Sequence, residues 1–150
     1  MKTTTCHTVI AGSDPEFRKR IRSVLKMAEN ESTEFSIVAS EARTIDQLEK
    51  ELGSHTDIAF IDASFVIDES RRIAQAWKKL KTDCVFALLL SDRDAAGLKN
   101  VIYKMEKQKS LPLDVHVLKN NYPDELIMQI VMRIVEIGCV QKHNVLASQN

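Results

Sequence analysis

Long apolar runs and an excess of one charge are both missing from this sequence of 150 residues. No stretch approaches the roughly 18 uninterrupted apolar residues that a membrane-spanning helix requires. The chain begins with polar residues and its first apolar run stops at Gly12, so it offers no hydrophobic core for a secretion signal. Lysine plus arginine number 21, as do aspartate plus glutamate, and this balance argues against a nucleic-acid-binding protein. We therefore expect a single cytoplasmic domain whose partners are neither membranes nor nucleic acids.

Cysteine and glycine are scarce as well. Cys6, Cys84 and Cys139 are odd in number and far apart, without a C-x-x-C pair. The sequence therefore indicates neither a disulfide framework nor a zinc site, and we expect reduced thiols. The segment Ala11–Pro15, which follows the first apolar run, is too short and too acidic for a glycine-rich phosphate loop. This argues against a small flavin- or nucleotide-binding enzyme.

Short apolar runs alternate along the chain with segments of helical periodicity. Ser13 or Asp14 can cap a first helix, and Thr44 can cap a second. Five apolar runs are typical of strands: Thr8–Ala11, Phe35–Ala39, Asp57–Asp62, Val85–Leu90 and Val115–Leu118. Because each run is short and apolar enough to be covered on both faces, the sequence predicts an α/β protein with a doubly wound, five-stranded parallel sheet between two helical layers. We assign residues 1–140 to one domain and residues 141–150 to a polar C-terminal tail.

Polar residues follow the predicted strands at the points where the strands end. They are Ser13 and Asp14 after the first run, Asp62 at the end of the third, Ser91 after the fourth and Lys119 after the fifth. The carboxyl ends of parallel strands share one edge of the sheet, where ligands of such sheets bind. A carboxylate, a hydroxyl and an ammonium group there supply a nucleophile, an oxygen donor and a compensating cation. The pattern predicts phosphoryl transfer to the carboxylate of Asp62.

This order of residues resembles the receiver domain of two-component response regulators, over about residues 7–140. The resemblance implies the CheY-like, flavodoxin-like (βα)5 fold, with Asp62 as the phosphoacceptor at the end of the third strand. It implies that Lys119 and Ser91 contact the phosphoryl group and that His116 occupies the aromatic switch position of the fifth strand. The implied partners are a histidine kinase or phosphotransfer protein and a downstream effector, with homodimerisation left open. The domain would be regulatory rather than enzymatic, with at most slow self-phosphorylation and dephosphorylation.

The first loop departs from the receiver pattern. Gly12 and Ser13 align with the acidic pair that holds Mg²⁺ in that family, so both carboxylates are missing. Asp62 and, one step beyond the pair, Asp14 remain as candidate metal ligands. Because Mg²⁺ demands near-octahedral oxygen ligation, we expect Mg²⁺ binding to be weak.

Three further departures affect the surface that receivers use for output. The segment Ala63–Asp68 lacks the proline–glycine turn common after the phosphoacceptor, and Asn120 stands where the family usually has proline. The stretch from Ser91 to His116 is longer than usual. We therefore expect the output to differ from the common receiver pattern.

Two functional interpretations follow from these residues. In the first, Asp62 is phosphorylated, although weakly; in the second, the chain is a pseudo-receiver that signals by protein contact alone, independently of phosphorylation. Asp62 and Lys119 favour the first interpretation, and Gly12 and Ser13 favour the second.

Each candidate residue also has an ordinary structural explanation. Asp62 can cap the turn after its strand, Ser91 can cap the helix that follows, and Lys119 can be a surface cation. His116 in an apolar strand is typical of a half-buried side chain. A basic stripe on the first helix, expected to be a solvated face or a docking surface, comprises Arg18, Lys19, Arg20, Arg22 and Lys26.

Overall fold

Five strands form one parallel sheet. The computed structural model describes residues 4–52, 55–79, 85–90, 99–100, 103–104, 107, 115–119 and 121–141. Its strands are β1 (Thr4–Ala11), β2 (Phe35–Ala42), β3 (Ile58–Asp62), β4 (Val85–Leu90) and β5 (Val115–Lys119). Their order is β2-β1-β3-β4-β5 and every pairing is parallel. The predicted five-stranded parallel sheet is confirmed.

Helices connect these strands and cover the sheet. They are α1 (Pro15–Glu31), α2 (Ile45–Glu51), α3 (Ala63–Asp68), α4 (Ser70–Lys79) and α5 (Asp124–Val135), the last continuing into a π-helix (Glu136–Gln141). Residues 99–100, 103–104 and 107 are also helical and exposed. Among the described residues, no helix combines the length and the apolar character needed to cross a membrane.

The strands bury side chains on both faces of the sheet. Alternate residues of β1 and β3 enter two separate clusters: Cys6, Ile10, Ile58 and Phe60 on one face, and Val9, Ala11, Ala59 and Ile61 on the other. The first cluster is completed by α1 and α5, and the second by residues of α2, α3 and α4. The apolar stripe of α1, from Phe17 to Ala28, is buried as its spacing predicts. The three-layer arrangement is therefore confirmed.

The first two strands are longer than the apolar runs that predict them. All eight residues of Thr4–Ala11 pair with Phe35–Ala42. Thr4 and Thr8 are buried, and the Thr8 hydroxyl donates to the carbonyl oxygen of Val38 at 3.4 Å. Threonine has a β-branched side chain that fits a strand, so polarity alone gives too short a strand here.

The connection after β3 contains two helices where the sequence pattern predicts one. Asp62 caps α3, whose Phe65 and Val66 are buried in the second cluster. Glu69 then adopts φ −125° and ψ 32°, outside the helical range, and ends α3 before α4 begins. Of the two helices, α3 begins directly after Asp62, the candidate phosphoacceptor.

An exposed ion-pair network links α2 to α4. The guanidinium of Arg72 binds Asp46 and also Glu49, the latter at 3.1 Å from Nε. The hydrogen bond from Arg72 to Asp46, together with the positive charge of Arg72, holds the pKa of Asp46 below its usual range. Since all three side chains are exposed to solvent, the network contributes little to the stability of the fold.

Candidate functional site

The strand register places two of the predicted site residues, Asp62 and Lys119, at the carboxyl edge of the sheet. Asp62 of β3 is opposite Leu89 of β4, and Lys119 of β5 is opposite Leu90. Asp62 and Lys119 thus end two strands separated only by β4, a distance of about 10 Å at the usual spacing between strands. The Lys119 side chain is exposed. An acid and a lysine therefore lie at the same edge.

Asp62 carries a local structural role in this position. Its backbone is extended, with φ −63° and ψ 130°, and its Oδ1 accepts a hydrogen bond from the backbone N–H of Ser64 at 3.2 Å. The carboxylate thus caps α3, where the unpaired N–H groups of the first turn favour a negative charge. Asp62 therefore has the ordinary capping role that its position after a strand predicts. Its half-buried side chain also lies at the edge of the sheet.

The loop after β1 is packed closely against Asp62. A Cβ atom built on Gly12 would lie 2.8 Å from Cδ1 of Phe17 and 3.1 Å from Cβ of Asp62. Phe17, in the first turn of α1, is 7% exposed. Since carbon atoms in contact are normally at least about 3.5 Å apart, any side chain at position 12 requires the Phe17 ring to move. The ring occupies the space beside Asp62 that a carboxylate at position 12 would need.

Asp14 is the N-cap of α1. Its Oδ1 accepts from the backbone N–H of Glu16 at 2.9 Å, and Pro15 occupies the first helical position. Ser13, the other candidate cap, is exposed. The proposed contribution of Asp14 to metal binding stays a prediction.

The described residues at this edge do not fit a receiver-type magnesium site. Mg²⁺ is held in proteins by oxygen ligands, mainly carboxylates, in near-octahedral geometry. Gly12 has no side chain and no room for one, Ser13 has only a hydroxyl, and the carboxylates of Asp14 and Asp62 each cap a helix. The expectation of weak Mg²⁺ binding agrees with this arrangement.

Arg18 corrects the prediction of a uniformly solvated basic face on α1. It is 6% exposed, and its Nη1 donates to the carbonyl oxygen of Gly12 at 2.6 Å. Its Nε lies 3.3 Å from Oε1 of Glu41, which also binds Arg22. Arg18 therefore fixes the loop between β1 and α1. The helical pattern missed this role because a long arginine side chain can fold back over the turn N-terminal to it.

We predict that Arg18→Met lowers the free energy of unfolding by about 1.5–3 kcal/mol, because the buried carbonyl of Gly12 loses a charged donor. Urea unfolding followed by circular dichroism measures this change. Lys19→Met, at the exposed neighbouring position, should remain within about 0.5 kcal/mol of the native chain. Equal effects for both variants would contradict the assigned role of Arg18.

The structure leaves the predicted roles of Ser91 and His116 untested. Ser91 lies outside the described residues, as does Asn120. His116 of β5 pairs with Ala87 of β4, which fixes its backbone position only. The phosphoryl-contact role of Ser91 and the switch role of His116 therefore stay predictions.

The fold is similar to that of solved receiver domains. A response regulator receiver domain protein from Clostridium thermocellum matches with a TM-score of 0.61 at 11% identity, covering 94% of this chain and 98% of that one. The REC domain of AraT, a response regulator from Geobacillus stearothermophilus, matches with a TM-score of 0.60 at 19% identity, covering 97% and 98%. Full-length FixJ from B. japonicum matches with a TM-score of 0.58 at 13% identity, covering 89% and 59%.

The similarity lies in the fold rather than in the sequence. No protein-family model matches the chain, and neither does any curated protein sequence. At 11–19% identity to the solved structures, the receiver-like fold is shown and the function has to be argued from the site.

Proposed function

We propose that this chain is an atypical receiver domain of two-component phosphorelay signalling, acting in the cytoplasm, in which Mg²⁺-dependent phosphorylation of Asp62 is weak. The single observation that carries the proposal is the closeness of Gly12 to both Asp62 and the Phe17 ring, which leaves no room for a side chain at position 12. Asp62 stays at the sheet edge as the last residue of β3, while the Phe17 ring fills the space that a carboxylate at position 12 would need.

The position of Lys119 supports retention of the phosphoacceptor role. Phosphoryl transfer to a carboxylate places negative charge on the transferred group, and a nearby ammonium group stabilises that charge. Lys119 ends β5 two strands from Asp62. Asp62 would be the nucleophile, Lys119 the compensating cation, and Ser91 a hydrogen-bond donor to a phosphoryl oxygen.

The first loop limits how well this site can work. A divalent cation normally neutralises part of the phosphoryl charge, and its carboxylate ligands supply most of its binding energy. With Gly12 and Ser13 in place of two acids, the ammonium of Lys119 is left as the main positive group among the residues proposed for the site. We therefore infer slow phosphorylation at a low final level.

A second function, a pseudo-receiver that signals by protein contact alone, is favoured by a specific contact of Asp62. Its Oδ1 accepts the N–H of Ser64 and so caps α3. A phosphorylated Asp62 would have to give up or share this capping contact, at a cost of about 0.5–2 kcal/mol. In this alternative Asp62 is retained for its cap, and the same surface binds an effector without modification.

Treatment with a small phosphodonor and Mg²⁺, followed by intact-mass measurement, tests the proposal. We expect a minor fraction of the native chain to gain the mass of one phosphoryl group, and no gain in Asp62→Asn, which keeps a side-chain oxygen able to cap α3. The expected fraction is small because the charge on the phosphoryl group is poorly compensated.

A second variant separates the two functions. Lys119→Met should reduce the phosphorylated fraction further while leaving the fold intact, since the side chain is exposed. Complete absence of the added mass in the native chain would reject phosphorylation and support the contact-only function. The same added mass in Asp62→Asn would show modification elsewhere and contradict the assignment of Asp62.

The partners follow from the proposed role. A histidine kinase or phosphotransfer protein would deliver the phosphoryl group, and a downstream effector would read the result. On α1, Lys19 and Lys26 are exposed, whereas Arg20 and Arg22 are held by Asp124 and Glu41. The surface of α1 open to such a partner is therefore less basic than its sequence predicts.

A further inference from the structure

Three potential metal ligands meet at the opposite end of the sheet from Asp62. They are Cys6 of β1, Asp57 directly before β3 and Cys139 of the C-terminal π-helix. Their ligand atoms, two Sγ atoms and one carboxylate oxygen, all lie within 4.8 Å of one another. Both cysteines are 0% exposed and Asp57 is 5% exposed. Asp57 directly precedes β3 and Asp62 ends it, so the two residues are about 16 Å apart.

The backbone holds the Asp57 carboxylate in place. The N–H of His7 donates to its Oδ2 at 2.9 Å, and the N–H of Asp57 donates to the carbonyl oxygen of His7 at 2.8 Å. Hydrogen bonds of this kind orient the carboxylate ligands of metal sites. The Asp57 carboxylate is thus held against the backbone of β1 at His7, the residue next to Cys6.

The separation of the Cys139 sulfur and the Asp57 carboxylate matches that of two ligands in a tetrahedral site for a thiophilic ion. With metal–sulfur bonds of about 2.3 Å and metal–oxygen bonds of about 2.1 Å, tetrahedral ligands lie roughly 3.6–3.8 Å apart. Cys139 Sγ is 3.7 Å from Oδ2 of Asp57 and 3.6 Å from the carbonyl oxygen of Thr5. Two sulfurs and one carboxylate supply three ligands, and the Thr5 carbonyl oxygen, close to the Cys139 sulfur, is a candidate for the fourth.

The chain position of Cys139 also favours a site. Cys139 belongs to a π-helix, Glu136–Gln141, directly after α5. π-Helical turns are rare and occur frequently at functional sites. The π-helical turn contains Cys139, whose sulfur lies close to Asp57 and Cys6. The irregular segment therefore coincides with the candidate metal site.

We propose that Cys6, Asp57 and Cys139 bind one thiophilic divalent cation. Two thiolates and a carboxylate are ligands typical of Zn²⁺, which is therefore the ion we assign. On binding, the two S–H bonds break, two sulfur–metal bonds form and two protons leave to solvent; no electrons are transferred. The ion joins β1, the start of β3 and the C-terminal π-helix, so its role is structural. It is independent of Asp62 and of the proposed phosphorylation.

Titration of the reduced, chelator-treated native chain with Co²⁺ tests the site. We expect one ion per chain, with the near-ultraviolet thiolate-to-cobalt band and the intense visible bands of tetrahedral Co²⁺, both abolished by Zn²⁺. Binding should release about two protons per ion, because each thiol gives up its proton when it binds the metal. Zn²⁺ at 100 times its Kd should raise Tm by roughly 5–10 °C.

Three variants and a matched control locate the ligands. Cys6→Ser and Cys139→Ser should each lose the thiolate band or weaken Co²⁺ affinity by at least about tenfold, and Asp57→Asn should weaken it as well. Cys84→Ser removes a thiol that the proposal does not use and should leave binding unchanged. Circular dichroism of each variant without metal shows whether it is folded.

The native chain alone also decides the matter if a variant fails to fold. Absence of the thiolate band, release of no protons, or an unchanged Tm would overturn the site. Formation of a Cys6–Cys139 disulfide in air without any ion binding under reducing conditions would overturn it too. Loss of the band in Cys84→Ser would assign the sulfur ligand elsewhere and reject the proposed set.

Discussion

Phosphorylation of Asp62 is expected to rise strongly when carboxylates are restored to the first loop and the Phe17 ring is shortened. In the variant Gly12→Asp/Ser13→Asp/Phe17→Leu, two acids return to the positions of the missing pair, and the smaller side chain leaves space for the one at position 12. We expect Mg²⁺ affinity to increase by at least about tenfold, the effect typical of a single supporting residue at a metal site. Calorimetric titration with Mg²⁺ and intact mass after phosphodonor treatment measure both changes.

Comparison of the single variants with the triple variant shows which residue of the loop limits Mg²⁺ binding. Ser13→Asp alone, at an exposed position, should give a smaller gain than the triple variant. Phe17→Leu alone adds no ligand and should give none. Adding Asp62→Asn to the triple variant should abolish the added phosphoryl mass. A triple variant that folds and binds Mg²⁺ no better than the native chain would show that the missing carboxylates are not the cause of weak binding.

The sheet and its carboxyl edge could be predicted because they depend on local patterns. Apolar runs bounded by polar residues define the strands, and parallel pairing then brings their ends together whatever the details of packing. This predicts that Asp62 and Lys119 share one edge of the sheet, and the strand register has both of them there. The cap at Thr44 was equally local, since its hydroxyl accepts the N–H of Gln47, three residues away.

The contacts that the sequence did not reveal join residues distant in the chain or depend on side-chain direction. The helical spacing of its apolar residues puts Phe17 on the buried side of α1, but its position over Gly12 depends on the angle at which α1 meets the sheet. Cys6 and Cys139 are separated by almost the whole chain, and no spacing rule connects them. The periodicity of α1 assigned Arg18 to the solvent, whereas its side chain reaches back to the Gly12 carbonyl. Such contacts follow from tertiary packing, which sequence periodicity does not encode.

Phe17→Ala is expected to lower the free energy of unfolding by about 3–5 kcal/mol, because it removes a nearly fully buried ring from the core. Gly12→Ala in the native chain should cost about 1–3 kcal/mol, since its Cβ would overlap the ring at 2.8 Å. The cost is steric, because the backbone of Gly12 is not in the left-handed region that favours glycine. Urea unfolding of both single variants measures these values.

The double variant tests whether the two residues compete for the same space. If the ring occupies the volume beside Asp62, Gly12→Ala should cost clearly less in the Phe17→Ala background, because the new methyl group then meets only Cβ of Asp62, at 3.1 Å, and no longer the ring. The two effects would then be non-additive by about 1–3 kcal/mol, as is usual for residues in direct contact. Lys19→Ala, exposed on the same helix, should be additive with Gly12→Ala. Additive effects for Gly12 and Phe17 would mean that the ring does not fill the pocket, and the weakness of the Mg²⁺ site would then rest on the missing carboxylates alone.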